Sequence, residues 1–122
     1  MGEVGVDVIQ VSRIRKAIDR HGESFLLRIY TESEIKYCDR FRNSIERLAA
    51  RWAAKEAVFK ALGTGVAGAR WKDVEIINAR SGRPRVLLHG DARRRAERQG
   101  YNDAKISISH SGDIAVAFAL LQ

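Results

Sequence analysis

The sequence predicts an α+β domain: a mixed or antiparallel sheet packed against one long central helix and shorter helices. Three observations carry that expectation. Helical periodicity runs unbroken from Ser44 to Leu62. Period-two alternation, the mark of a strand, marks Lys105–His110 and Ile114–Leu121. Short turns, Ser81-Gly82-Arg83-Pro84 and Ser111-Gly112-Asp113, join neighbouring strand signals into antiparallel pairs.

The elements follow in order. Val4–Ile9 is a strand, apolar on both faces as a central strand would be, and interrupted by Asp7. Ser12 is a plausible N-cap for a basic helix from Arg13 to His21, closed by Gly22. Phe25–Tyr30 is a second apolar and basic segment. Thr31-Glu32-Ser33-Glu34 has the spacing of a capping box and starts another helix. The long helix follows and is stopped by Gly63 and Gly65. Val74–Asn78 and Arg85–Leu88 form a hairpin, Asp91–Gln99 an Arg-rich helix closed by Gly100, and the two alternating strands end the chain. No internal repeat, low-complexity segment or linker divides residues 1–122, so a single domain is expected.

The chain has 122 residues, 45% of them apolar, which is enough for a packed core. Lys plus Arg number 22 against 15 Asp plus Glu, a net charge of +7 carried mostly by arginine. Guanidinium suits two-pronged contacts with phosphate and carboxylate, so the expected partners are anionic. The single cysteine, Cys38, excludes an intrachain disulfide and a multi-cysteine zinc site. With no membrane-spanning stretch and no signal peptide read from the sequence, a cytoplasmic protein is expected.

Two carboxylates stand out. Glu56 falls in the apolar stripe of the long helix with Ile45, Leu48, Ala49, Trp52 and Phe59. A carboxylate buried there costs several kcal/mol, about 3–5, unless a cation, a metal or hydrogen bonds compensate it. Asp7, in an apolar strand, raises the same question. Each has an ordinary reading: backbone N–H groups or an arginine for Asp7, a helix-face ion pair with Lys60 for Glu56. The sharper reading joins them, because two carboxylates from separate elements are the usual protein share of a Mg²⁺ site beside substrate phosphate. Arg51 and Lys55 lie on an adjoining helix face.

His110, at a strand end, is either structural or a phosphate ligand or general base. Gly63-Thr64-Gly65 follows a helix instead of preceding one, so it is not a P-loop; it stops the helix and could lie along a nucleotide. Arg93-Arg94-Arg95 reads as a solvated helix face, since no aromatic residues interleave to stack bases. Arg13, Arg15, Lys16, Arg20 and Arg28 form an earlier basic cluster just after Asp7. The small face of the last strand, Ala115, Ala117 and Ala119, implies close packing against a helix or another subunit.

Together these pieces resemble a known family. Gly5-Val6-Asp7-Val8-Ile9-Gln10-Val11-Ser12-Arg13-Ile14, the run from Arg51 through Lys55-Glu56-Ala57 to Gly65, and Ser107-Ile108-Ser109-His110-Ser111 are similar, in order and spacing, to motifs of the holo-acyl-carrier-protein synthases. The resemblance implies a 4′-phosphopantetheinyl transferase that moves phosphopantetheine from coenzyme A to a serine of apo-acyl carrier protein, in a homotrimer with active sites between subunits. It implies that Asp7 and Glu56 bind Mg²⁺ and that Lys60 stabilises charge on the phosphate under attack. His110 would contact the cofactor's phosphates or assist proton removal, and Arg51 with Gly63, Thr64 and Gly65 would line the coenzyme A site. Arg13 and Arg28 would meet the acidic carrier protein. Metal-bound water, Glu56 and His110 are the candidate bases. One position departs from the family pattern: Gln10 stands where a glutamate is usual, which implies weaker Mg²⁺ binding if that position supports the metal. The rival readings are a basic nucleic-acid-binding module, resting on the charge, and a different Mg²⁺-dependent phosphate enzyme built on the same carboxylate pair.

Overall fold

The computed structural model describes residues 2–64 and 70–122. Strand β1 (Glu3–Gln10) leads directly into helix α1 (Val11–His21), followed by α2 (Glu23–Ile29), α3 (Glu32–Asp39) and the long α4 (Ser44–Leu62). A 3₁₀ turn, Trp71–Asp73, precedes the hairpin β2 (Val74–Asn78) and β3 (Pro84–Leu88). Helix α5 (Gly90–Arg98) and the strands β4 (Ala104–Ser111) and β5 (Ile114–Leu121) complete the fold. The predicted α+β class is correct, and all strand pairing among the described residues is antiparallel.

The described residues form two ladders, a three-stranded sheet in the order β1-β5-β4 and the separate β2-β3 hairpin. β5 is thus the central strand and β1 an edge strand, contrary to the central place expected for β1. Its apolar residues on both faces have another cause. Gly5, Asp7 and Ile9 face α4, while Val4, Val6 and Val8 stand exposed on the opposite face.

Small residues set how closely α4 approaches the sheet. A Cβ on Gly5 would collide with the carbonyl of Ala57 and lie 2.8 Å from the nitrogen of Ala61, so only glycine fits there. Ala115, Ala117 and Ala119 are buried on the same side of β5, beneath α4. The small face of β5 therefore packs on a helix. The bulky face is the open one: Ile114 and Phe118 of β5 line up with Gln10 and Val6 of β1 and are exposed.

Helix α4 packs against β1, β4 and β5 on one side and against α1, α3 and β2 elsewhere. It is covered nearly all round, and twelve of its residues are buried. A helix so enclosed has no single apolar stripe. This corrects the placement of Glu56, which is only half-buried. The wholly buried charges are Lys55, one residue earlier, and Glu34 in α3.

The predicted capping box at α3 is present. Thr31 Oγ1 accepts from the N–H of Glu34, and Glu34 Oε1 accepts from the N–H of Thr31 at 2.8 Å. At the other end of α4, Gly63 adopts the left-handed conformation (φ 78°) that stops the helix. The expected N-cap at Ser12 is not found. α1 begins at Val11, with Gln10 in the cap position and no side-chain bond from it, and Ser12 lies inside the first turn.

Candidate active site

The chemistry predicted at the first strand and the long helix comes together at the contact of β1 with α4. Gly5 lets the strand lie directly on the helix, and Asp7, two residues on, faces the same way. Lys60 extends from α4 along the strand. Its Nζ is 3.1 Å from Asp7 Oδ1 and 3.1 Å from the carbonyl oxygen of Val6. The Asp7 side chain is 14% exposed and that of Lys60 51% exposed, so the pair lies at the rim of the core and is open to ligands.

Glu56 is one helical turn before Lys60 and shares the site. Burial pushes its carboxyl above the ordinary value, the negative charge of Asp7 pushes it further, and Lys60 partly opposes both. Two carboxylates thus share one ammonium, and a further cation would relieve the repulsion. The donor set is all oxygen, which suits a hard divalent ion. No cluster of three His, Cys, Asp or Glu side chains forms among the described residues. A Mg²⁺ site does not require one when substrate phosphate and water fill the remaining positions. Lys60 pairs with Asp7 while half of its side chain stays exposed.

His110 is exposed near the end of β4. It is opposite Ala115, which pairs with Ile9, two residues along from Asp7. Two inter-strand steps of about 4.8 Å separate the strands, so within one chain His110 stands on the order of 10 Å from Asp7. The chain does not bring it to Glu56 and Lys60.

Arg51 is not brought there either. Its side chain is buried, 4% exposed, because the enclosed α4 turns that face inward. One guanidinium nitrogen donates to Asn78 Oδ1, the group lies 4.8 Å over the Tyr37 ring, and Nε, 4.0 Å from Glu34 Oε2, makes no hydrogen bond. Gly63 and Thr64 lie just beyond α4, a turn from Lys60, with the Thr64 N–H donating to the Phe59 carbonyl. Gly65 lies outside the described residues.

Beside this site is a cluster that sequence reasoning missed. Lys55 Nζ donates to Glu34 Oε1 at 2.8 Å and to the carbonyls of Val74 and Trp71, while Glu34 Oε2 accepts from the N–H of Ile76 at 3.0 Å. Burial pulls the Lys55 ammonium down and Glu34 holds it up. The signal was present in part: the capping box located Glu34, but only tertiary packing shows that the same carboxylate meets Lys55.

Arg13 and Arg28 are both exposed, with Lys16 and Arg20 also exposed along α1. Arg15 instead pairs with Glu46 at 3.3 Å. The α5 arginines are largely neutralised within their own helix: Arg93 pairs with Glu97, and Arg94 and Arg95 with Asp91. Grooves of about 480 and 700 Å³ are lined by β3, β4 and neighbouring residues, among them Arg83, Arg85 and Lys105, and by none of Asp7, Glu56, Lys60 or His110. Among the described residues no helix is long and apolar enough to cross a membrane.

Comparison with known proteins supplies a context for this geometry. The family model for the 4′-phosphopantetheinyl transferase superfamily matches residues 3–119. A holo-[acyl-carrier-protein] synthase of Solibacter usitatus is 48% identical over 97% of this chain and 95% of its own length. Its counterpart in Desulforudis audaxviator is 51% identical over 96% of this chain and 89% of its own. Among solved structures, the holo-[acyl-carrier-protein] synthase of Neisseria meningitidis superposes with a TM-score of 0.88 at 30% identity, covering 98% of this chain and 97% of that one. The Helicobacter pylori enzyme, solved in complex with coenzyme A, gives a TM-score of 0.84 at 28% identity, covering 98% and 99%.

Proposed function

The chain belongs to the 4′-phosphopantetheinyl transferase superfamily, and from that membership we infer that it transfers 4′-phosphopantetheine from coenzyme A to a serine of apo-acyl carrier protein. The observation that carries the site assignment is the grouping of Asp7, Glu56 and Lys60 where β1 meets α4. In the reaction the serine hydroxyl oxygen attacks the phosphorus that bears pantetheine. A new phosphoester bond forms, the pyrophosphate bond breaks, and adenosine 3′,5′-bisphosphate departs with the bond's electron pair. The serine proton passes to a base.

Each residue has a task in that step. Asp7 and Glu56 would hold Mg²⁺, whose positive charge, when bound, suits the coenzyme A pyrophosphate. Lys60 stabilises the negative charge that grows on the leaving phosphate; its neighbours on β1 fix its ammonium and its exposure leaves one side open. Gly63 and Thr64, just beyond Lys60, would flank the cofactor. Arg13 and Arg28, both exposed, would meet acidic carrier-protein side chains, and the charge of +7 steers that encounter.

His110 acts from a neighbouring copy. The open face of the three-stranded sheet, with Val4, Val6, Val8, Ile114 and Phe118 exposed, is the surface a homotrimer would cover. Each of these side chains would gain about 1 kcal/mol from losing its remaining exposure, half of the full burial value. Residues 1–122 work as one domain, since α4 packs on the main sheet and on the hairpin strand β2. We assign the protein to the cytoplasm and to the maturation of a fatty-acid-type carrier.

The test is mass spectrometry of an apo-acyl carrier protein incubated with coenzyme A, Mg²⁺ and the enzyme. The carrier gains the mass of one phosphopantetheine group, and adenosine 3′,5′-bisphosphate appears in equal amount. No gain across several carriers would overturn the reading. Light scattering of Phe118→Lys tests the trimer: the variant runs as a smaller species than wild type.

A further inference from the structure

Helix α1 lacks the features that normally secure a helix start. Gln10 occupies the cap position and makes no side-chain bond, and the first turn holds no acidic residue. The first backbone N–H groups and the positive end of the helix dipole therefore need a partner from elsewhere. Asp113, 101 residues away in the turn between β4 and β5, supplies it. Its Oδ1 accepts from the N–H of Ser12 at 2.8 Å, its Oδ2 from the Ser12 hydroxyl at 2.8 Å, and its carbonyl from the N–H of Val11 at 2.8 Å. Three bonds from one residue clamp the start of α1.

The clamp sits between functional residues. Arg13 follows Ser12 directly, and His110 stands three positions before Asp113. Gln10 pairs with Ile114, so the end of β1, the β4-β5 turn and the start of α1 meet at one end of the sheet. The clamp fixes the first turn of α1, the turn that carries Arg13.

We propose that Asp113 is a positioning residue for carrier-protein docking: by capping α1 across the fold it holds Arg13 in the orientation that the acidic carrier requires. The proposal rests on the docking role assigned to Arg13 above. Geometry, more than charge, carries the effect, since asparagine caps a helix as well as aspartate does.

Steady-state kinetics with carrier and coenzyme A varied in turn give the test. Asp113→Ala raises the KM for apo-acyl carrier protein on the order of 3- to 10-fold, the span of a lost cap, and leaves kcat and the KM for coenzyme A unchanged. Ser12→Ala, which loses only the hydroxyl bond, gives a smaller rise in the same constant, and Asp113→Asn stays near wild type. The double variant Arg13→Ala/Asp113→Ala is no worse than Arg13→Ala, because Asp113 acts through Arg13. An effect of Arg13→Ala without one of Asp113→Ala overturns the positioning role alone. No effect of Arg13→Ala on the carrier KM overturns the docking role of Arg13 and the proposal with it. An equal loss for both substrates in Asp113→Ala, tracking a lower melting temperature, assigns Asp113 to stability only and also overturns the proposal.

Discussion

Lys55 and Glu56 are consecutive on α4, and each belongs to a charged cluster. Lys55 and Glu34 have side chains 0% exposed, and every polar atom of the pair's contact is matched: one ammonium, one carboxylate, and backbone groups of Trp71, Val74 and Ile76. Asp7, Glu56 and Lys60 lie at the rim, with two carboxylates to one ammonium and a Glu56 carboxyl held above its ordinary value. The first cluster is buried, its ammonium and carboxylate are matched, and the Arg51 guanidinium adds positive charge 4.0 Å from Glu34. The second is short of positive charge and open. A buried, satisfied ion pair ties elements together, whereas an exposed, unbalanced one is prepared to bind a cation. The position of a charge on a helix thus says less about its role than whether its partners are already present.

The largest separation between the clusters is in catalysis. Asp7→Ala and Glu56→Ala are expected to cut turnover on the order of 10²–10³-fold or more, with the fold intact by circular dichroism. Lys55→Met is expected to retain turnover per folded molecule. A variant of Lys55 that folds normally yet loses all activity would erase the distinction.

Stability reverses the order. Lys55→Met or Glu34→Ala each leaves an uncompensated buried charge or orphaned backbone groups, and each should cost about 3–5 kcal/mol in urea unfolding. Asp7→Ala, at the rim, should cost under about 1 kcal/mol.

The smallest effect is the pH dependence of stability. The folded state binds the Glu56 proton more tightly than the unfolded state does. Without metal, stability therefore falls as pH rises from the ordinary carboxyl value through the raised one. Glu56→Gln removes that slope and stabilises the metal-free protein above this window by under about 1 kcal/mol, because the group is half-exposed. Thermal melts across the acid range check the sign, and a wild-type slope that survives in Glu56→Gln would assign it to another group.

Much of this architecture was legible in the residues. Caps, glycine stops and alternation located all five strands and the helices α1, α3, α4 and α5 to within a few residues, because those signals are local, while α2 was read only as an apolar and basic segment and the 3₁₀ turn was not foreseen. The Asp7, Glu56 and Lys60 grouping was legible too, through motif resemblance. What escaped depends on contacts between distant segments. Periodicity assigned α4 a single buried face and put Glu56 on it, since no local signal shows that a helix is enclosed from two sides. The capping box identified Glu34 as a helix-start residue without revealing that Lys55, 21 residues on, would meet it in the core. The alternation of β5 gave two faces but not which of them meets the helix; Gly5 and the alanines decide that by permitting close approach. Asp113 as the cap of α1 was hidden for the same reason.

The most direct test of the account is calorimetric titration of Mg²⁺ into the enzyme saturated with coenzyme A, comparing wild type, Asp7→Asn, Glu56→Gln and Lys55→Met. Wild type and folded Lys55→Met should bind Mg²⁺ alike, while Asp7→Asn and Glu56→Gln should each weaken binding tenfold or more, about 1.4 kcal/mol. Wild-type Mg²⁺ affinity in both Asp7→Asn and Glu56→Gln would contradict the assignment of the unbalanced cluster as the metal site.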